Sequence, residues 1–266
     1  MLKKLAVATA IGLFASFNTN AAAVDLSGWT AEGGSSSWNV QSGNDTVFQT
    51  VNGDPTVFFD STATSTQGTA LSGKIKVTSA GDWDDDFIGF ALGYNSGEIN
   101  SNSTDFMLVD WKQRDQNFGG TTGLAGISIS HVTDASNHWN DFWSHDGGVN
   151  EIQRGTNLGS TGWADDTEYL FNIVFQSNLI EVTVDGLLEL SITAADAGLS
   201  SFGDGSFAFY NMSQSHVLYS SIEETNCTNT PNAPQCQTGS VPEPTTLALM
   251  GLGLAGFASR KRKLSA

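Results

Sequence analysis

The chain has 266 residues and a formal net charge of −17. Two of its 11 basic residues lie near the N terminus and four near the C terminus, and one of its 28 acidic residues lies in that C-terminal region, so residues 24–240 carry a net charge of −22. Such a surface repels phosphate backbones and anionic lipid, so we expect no nucleic-acid partner. It attracts cations, divalent ones most, although solubility alone accounts for part of the acidity.

The N-terminal segment is typical of a secretory signal. Lys3 and Lys4 precede an apolar stretch at 5–17, and a small-residue cleavage region follows at Ala21–Ala23. The apolar stretch is too short for a transmembrane helix and ends in polar residues. We therefore expect residues 1–23 to be a signal peptide, cut near Ala21 to Ala23, and the rest of the chain to be exported.

Short alternating apolar runs, separated by Gly, Asn, Asp and Ser, fill residues 24–224, a length that suits one domain. The Asp185-Gly186 turn between two runs gives the strongest hairpin signal. The run at 87–94 is apolar on both faces, as in a strand central to a sandwich. The pattern predicts an all-β domain, a β-sandwich or jelly roll, with one helical turn at 193–198. The predicted strands are 46–51, 70–78, 87–94, 105–112, 169–175, 179–184, 187–192, 206–210 and 216–222.

Carboxylates are concentrated immediately before the predicted strand at 87–94. Asp84, Asp85 and Asp86 repel one another unless they are solvated or neutralised, and a hard cation such as calcium suits oxygen ligands in a loop. In an extended segment Asp85 points away from the other two, so we expect that not all three bind one ion. Asn52 and Asp54 are second candidate ligands. A solvated acidic turn and an Asx-turn are the structural alternatives.

A Trp- and Asp-rich segment at 138–146 is predicted to be a loop. Its two histidines are seven residues apart, which is no standard zinc spacing. Trp139 and Trp143 are candidates to stack on a sugar ring, with burial in the core or at a sheet edge as the alternative.

The two cysteines, Cys227 and Cys236, flank a proline-rich octapeptide. In an exported protein this arrangement predicts a local disulfide, with metal ligation by the pair as the weaker alternative because no His or further Cys is near. Residues 225–240, rich in Asn, Thr and Pro, are predicted to form a linker.

The last 26 residues combine a triplet, an apolar run and a basic end. Pro242-Glu243-Pro244 is extended, and the apolar helix after it rises about 22 Å, short of a ~30 Å hydrocarbon core. Residues 241–266 resemble the PEP-CTERM sorting signal, which is read by an exosortase-type membrane enzyme. The resemblance implies a short transmembrane helix in the inner membrane before processing and a surface destination, with an ordinary anchor as the alternative. The basic end is formed by Arg260, Lys261, Arg262 and Lys263.

Sequence signals for catalysis are missing. The chain has no Gly-x-Ser-x-Gly elbow, no phosphate loop and no Glu-x-Asp-x-x-Glu pattern of sandwich glycosidases. We therefore predict that the protein is not an enzyme.

Ordered motifs from about Trp38 to Glu224 resemble the thrombospondin C-terminal domain. That family is a lectin-like jelly-roll sandwich that binds calcium and acts in matrix and cell-surface adhesion. The resemblance implies a calcium-binding adhesion module whose partner is an extracellular polysaccharide or a matrix or surface protein. A lectin, or a polysaccharide-active enzyme on the same sandwich, is the alternative. The Asp-rich calcium repeats that precede the domain in thrombospondins are absent. The matching motifs are at 47–55, 84–90, 93–94, 109–113, 143–146, 162–163, 169–171 and 209–214.

Overall fold

A computed structural model describes residues 21–79, 84–136 and 138–238. Two antiparallel sheets pack face to face, which confirms the predicted all-β sandwich. Sheet A has eight strands, in the order β15 (Leu187–Thr193), β14 (Leu179–Val184), β13 (Glu168–Gln176), β6 (Thr69–Val77), β17 (Val217–Asn226), β4 (Val47–Gln49) and β3 (Trp38–Val40), with β1 (Ala21–Ala23) also paired to β17.

Sheet B has seven strands and carries a small hairpin and a helix at its margin. Its order is β12 (Val149–Arg154), β11 (Gly126–Val132), β8 (Phe106–Lys112), β7 (Phe87–Tyr94), β16 (Ser206–Met212), β5 (Thr56–Phe59) and β2 (Thr30–Gly33). The hairpin is β9 (Gln116–Phe118) with β10 (Thr121–Gly123), and the helix is α1 (His138–Ser144). Short 3₁₀ helices lie at Leu26–Gly28, Glu98–Asn100, Ala194–Ala197 and Pro234–Cys236.

The main core lies between the sheets, where alternate residues of each strand face inward. Phe90 of β7 and Phe171 of β13 meet there with ring centroids 4.5 Å apart. Tyr219 of β17 stacks on Phe209 at 4.5 Å and donates its hydroxyl to the Tyr210 carbonyl at 2.8 Å. This bond ties the two sheets together and keeps a buried hydroxyl satisfied.

A second apolar cluster covers the outer face of sheet B. Phe142 of α1 stacks on Tyr210 at 5.9 Å, and Trp143 meets Phe87 edge-on at 5.7 Å. Every residue of β7 is therefore buried, because both faces of the strand are covered. The prediction of a central strand apolar on both faces is confirmed.

The expectation of a loop at 138–146 is wrong for its first seven residues, which form α1. Trp139, Phe142 and Trp143 have the i, i+3, i+4 spacing that places three side chains on one face of a helix. That face packs against sheet B, and the burial stabilises a helix too short to form alone.

All nine predicted strands are present, with ends shifted by a few residues. Most of the unpredicted strands have three or four residues, too few to show an alternating pattern. In β11 the positions between the apolar residues are Ser128 and Ser130, which are buried nonetheless. The predicted helical turn at 193–198 is the 3₁₀ helix Ala194–Ala197.

The disulfide between Cys227 and Cys236 is present, which confirms the predicted pairing. The loop that it closes packs on the outer face of sheet A, where both cysteines and Ala233 bury Ala70 and Val174. A ring of about ten residues stabilises a fold by ~2–3 kcal/mol through the unfolded state. Strand β17 runs to Asn226, so the first part of the linker predicted at 225–240 belongs to the sandwich.

Ala21–Ala23, which the sequence assigns to the end of the signal peptide, form β1. Ala22 lies opposite Glu224 in the antiparallel pair, so the first described residues and the last strand are neighbours in sheet A. A cut after Ala23 removes this strand, whereas a cut before Ala21 keeps it.

Candidate binding site

Several loops meet at one end of the sandwich, which we call the loop end. Phe87 lies opposite both Lys112 and Met212 in sheet B, and Val217 lies opposite both Gln49 and Val77 in sheet A. The loops at 50–55, 84–86 and 213–216 and the β9–β10 hairpin therefore leave the strands on the same side. The candidate residues predicted from the sequence lie in or beside these loops.

Asp84, Asp85 and Asp86 converge in the structure. Each offers a carboxylate oxygen, and the three oxygens lie within 4.8 Å of one another. Residues 84–86 lie outside any strand, and the alternation expected of an extended segment does not keep an Asp85 oxygen away from those of its two neighbours.

Lys112 already supplies one cation to this cluster. Its side chain is fully buried, and Nζ donates to the Asp86 carboxylate, to the Asp85 carbonyl at 3.1 Å and to Gln116. The ammonium also lies 4.5 Å from the centre of the Trp143 ring. Three donated bonds use the full donor capacity of the ammonium, which offsets the desolvation of a buried charge.

Asp85 keeps an unsatisfied oxygen. Its Oδ1 is buried without a hydrogen-bond partner among the described residues, and Oδ2 lies 3.9 Å from the exposed Arg114. Burial raises the pKa of Asp85 despite the attraction of Lys112, and Asp86 adds to the rise. An orphaned carboxylate oxygen beside two others fits a hard divalent cation, which takes oxygen ligands.

Asn52 and Asp54 are exposed, and Asp54 is not part of the cluster of three carboxylates. Asp54 accepts a hydrogen bond from Trp139 Nε1, so it holds α1 against the loop end. Ser213 N donates to the Gly53 carbonyl at 2.7 Å, and Asp86 N donates to Gln214 Oε1 at 3.0 Å. The segment 213–214 thus joins the two candidate loops.

The aromatic residues of the loop end differ in exposure. Trp143, a candidate sugar contact, is only 4% exposed and belongs to the second core, so its predicted contact role is not supported. Trp139 is half-buried, and its ring lies 5.2 Å from that of Phe118, which is 54% exposed. Phe118 and Trp139 form an aromatic pair open to solvent.

The sequence reading missed Phe118. It ends β9, and the turn after it uses Gly119 and Gly120 with φ of 60° and 91°, as a two-residue hairpin requires. The Phe-Gly-Gly-Thr segment is a usable hairpin signal. It does not reveal that the hairpin places Phe118 over Trp139.

A second charge network lies beside Lys112 on sheet B, with the side chains of His145 and Asp110 buried and those of Glu151 and Arg154 half-buried. His145 Nε2 donates to Asp110 at 2.9 Å and Nδ1 donates to Glu151 at 3.3 Å, and Arg154 binds the same Glu151 oxygen at 2.7 Å. Burial lowers the pKa of His145, but the charge of Asp110 and the hydrogen bonds to both carboxylates outweigh it and raise the pKa to about 9. Hydrogen bonds from His145 and the charge of Arg154 lower the pKa of Glu151 against its burial.

Ser128, His145 and Asp110 touch one another but do not form a working hydrolytic triad. Ser128 Oγ donates to Asp110 at 3.0 Å, the carboxylate that His145 also binds. Ser128 and Asp110 are at most 1% exposed, so a substrate has no access to the hydroxyl. The group is a structural network.

The sorting residues Pro242, Glu243, Pro244 and Arg260 to Lys263 lie outside the described residues, as does the predicted C-terminal helix. Within the described part of the chain, no helix is long and apolar enough to cross a membrane.

The profile of the family "Thrombospondin C-terminal region" matches residues 34–229. The chain belongs to this family. The profile of the PEP-CTERM protein-sorting motif matches residues 240–263, which marks the protein as exported and sorted to the cell surface. No curated protein matches the chain.

Solved structures share the sandwich. The carbohydrate binding module CBM66 from Bacillus subtilis has a TM-score of 0.50 at 10% identity over 74% of this chain and 96% of its own. A protein of unknown function with a galectin-like fold, also from Bacillus subtilis, has a TM-score of 0.48 at 9% identity over 74% of this chain and 89% of its own. The Ca2+/Man2-bound VIP36 exoplasmic/lumenal domain has a TM-score of 0.49 at 13% identity over 79% of this chain and 87% of its own. At these identities the likeness shows the fold alone.

The raised pKa of His145 makes stability fall at alkaline pH. The folded-state pKa of about 9 lies above the ordinary 6.5, so the stabilisation is complete below pH 6.5 and is lost as pH rises through 9. We expect the free energy of unfolding to drop by on the order of 2–3 kcal/mol between pH 7 and pH 10. Urea unfolding at a series of pH values measures it.

His145→Gln should be less stable at pH 7 and should lose this alkaline drop. His131→Gln is the matched control, because the His131 ring nitrogen pairs with Asp105, whose side chain is exposed. An alkaline drop of equal size in His145→Gln would assign the effect to other groups.

Proposed function

We propose that the protein is an exported, non-enzymatic surface module that binds extracellular polysaccharide at the loop end, with calcium organising the acidic loops. The observation that carries the proposal is the solvent-open pair Phe118 and Trp139, held beside Asp54 by the Trp139 hydrogen bond. Attachment to polysaccharide would give the protein a role in cell adhesion.

Aromatic faces suit sugar rings because the C–H groups of a pyranose are weakly polar and pack on a flat apolar surface. Phe118 is exposed and Trp139 is half-buried, although most large apolar residues of the described chain are buried. Hydroxyls and amides of Asn117 and Thr122 flank it on the same hairpin. The fold is shared with a carbohydrate-binding module of Bacillus subtilis, so the sandwich is compatible with a saccharide ligand.

Calcium would be held by Asp84, Asp85 and Asp86, with Asn52 and Asp54 as the second group of ligands. Lys112 balances one of these carboxylates from inside, so the cluster as a whole remains negative. A divalent ion would fix the loop that begins β7 and, through Gln214, the loop that carries Asp54. Calcium therefore acts here by ordering the loops around the aromatic pair.

Removal of the Phe118 ring should weaken polysaccharide binding. We expect Phe118→Ala to lower affinity about tenfold, or ~1.4 kcal/mol, because the exposed half of the stacking surface is lost. A panel of immobilised bacterial and plant polysaccharides, titrated with the mature protein in calcium, measures it. Leu124→Ala is the matched control, since Leu124 is similarly exposed but has no aromatic neighbour in the pair. Equal losses in both variants would refute a specific aromatic contact.

Calcium should stabilise the domain. At a hundredfold excess over the dissociation constant, binding to the native state alone adds ~2.7 kcal/mol, which raises the melting temperature by about 5–10 °C for a domain of this size. Magnesium should substitute poorly because it needs tighter octahedral geometry. Differential scanning calorimetry with calcium and with chelator measures the response.

Asp85→Asn should blunt that response, since it neutralises the carboxylate with the orphaned oxygen. Asp196→Asn, at an exposed aspartate in the 3₁₀ helix Ala194–Ala197 at the opposite end of the sandwich, should leave it intact. If the response to calcium survives Asp85→Asn, the ion binds at Asn52 and Asp54 instead. If the protein melts at the same temperature in calcium and in chelator, the domain has no calcium site.

The sorting signal implies an exosortase-type partner, with the C-terminal segment in the inner membrane before processing. We expect the mature protein to lack residues beyond about Pro244 and the signal peptide at 1–23. Intact-mass analysis of protein recovered from the cell surface measures both ends. Deletion of the basic residues 260–263 should impair membrane retention of the precursor. If protein at the cell surface keeps its C terminus, the C-terminal segment is an ordinary membrane anchor that is not cleaved.

A further inference from the structure

A groove lies on the outer face of sheet A, on the face that turns away from sheet B. It has a volume of about 220 Å³ and opens where the disulfide loop folds back over β13. Ser72, Asn172 and Thr183 lie side by side on three adjacent strands and form its floor, because Asn172 is the register partner of both others. Leu170, Gln235 and Gln237 form its walls.

The walls of the groove are fixed by covalent and hydrogen bonds. The disulfide closes the loop that carries Gln235, and Asn172 Nδ2 donates to the Gln235 carbonyl at 3.0 Å. The cysteines and Ala233 pack on Val174 beneath them. A rigid groove costs a ligand little ordering entropy.

Two acceptors in the groove have no hydrogen-bond partner among the described residues. They are Asn172 Oδ1 and Gln235 Oε1, both buried. Because Asn172 Nδ2 donates to the Gln235 main-chain carbonyl, Oδ1 of Asn172 is identified as the atom without a partner. Both residues line the groove, so a small rotation of either amide would present its unpaired oxygen to a hydroxyl donor of a ligand.

The chemistry of the lining selects a neutral ligand. The described residues that line the groove supply amides, hydroxyls and apolar carbons and no charged side chain, in a chain whose residues 24–240 carry −22. Leu170 is 54% exposed and adds an apolar wall beside these polar groups. Amides and hydroxyls next to an apolar surface match a ring that has hydroxyl edges and a C–H face.

We infer that this groove is a second saccharide site, for one neutral pyranose unit of a polysaccharide. The inference rests on the proposed function and adds a site on the opposite sheet from the Phe118–Trp139 pair. Two sites on different faces would allow one protein molecule to bind two polysaccharide chains, or two segments of one chain. Binding at both sites would raise the overall avidity for the polysaccharide.

The test compares variants of the groove with variants of the aromatic pair in the mature protein. Thr183→Tyr fills the groove from a half-buried strand position, and Asn172→Leu removes the orphaned acceptor. Asn178→Tyr, in the exposed turn at the far end of the same hairpin, is the matched control. Neutral gluco-, manno- and galacto-oligosaccharides are the probes, with affinity measured by isothermal titration and folding checked by melting temperature.

We expect two binding events per chain in the wild type. Thr183→Tyr and Asn172→Leu should each weaken one event at least tenfold and leave the other, while Asn178→Tyr changes neither. A single event that Phe118→Ala abolishes and the groove variants spare would overturn the second site and keep the first. A single event that only the groove variants abolish would keep the groove and overturn the aromatic pair, and no binding of any probe would overturn both.

Discussion

The burial of charge on the outer face of sheet B is the constraint on which the loop end depends. Lys112 and Asp110 alternate with apolar residues along β8, yet both are buried because α1 and the hairpin cover them. Charges in such a place must be paired and fully hydrogen-bonded, and partners come from Asp86, Gln116 and His145. The loops that supply these partners are thereby held in position.

This network explains how a short helix and a small hairpin become parts of a rigid surface. Trp143 lies over the Lys112 ammonium and fills the second core, while its helical neighbour Trp139 reaches Asp54 at the rim. Strand β9 of the hairpin begins at Gln116, which accepts a hydrogen bond from the same ammonium, and it ends at Phe118. The aromatic pair is thus connected by direct contacts to the buried charges. The acidic loop at 84–86 binds the same Lys112 ammonium.

The outer face of sheet A carries no buried charge network of this kind among the described residues, and the disulfide loop covers part of it. The loop buries Ala70 and Val174 and leaves a neutral groove beside it. Strand β1 pairs with β17 in the same sheet, so both ends of the described chain are attached to one layer. The Phe118–Trp139 pair lies against sheet B instead, on the other layer from strand β1 and the disulfide loop.

The sequence by itself determined the strands with clear alternation, the Asp185-Gly186 turn, the disulfide between cysteines nine positions apart and the family resemblance. These are local signals: a period of two, a turn dipeptide or an ordered set of motifs. Only the tertiary structure decided the roles of Trp143, Phe118 and Lys112. Trp143 and Trp139 look equivalent in the sequence, but their exposure depends on which side of a helix meets sheet B. Lys112 looks like a surface lysine until Asp86, 26 residues away in the chain, is placed against it. Burial and ion pairing across strands arise from long-range pairing, which no local pattern encodes.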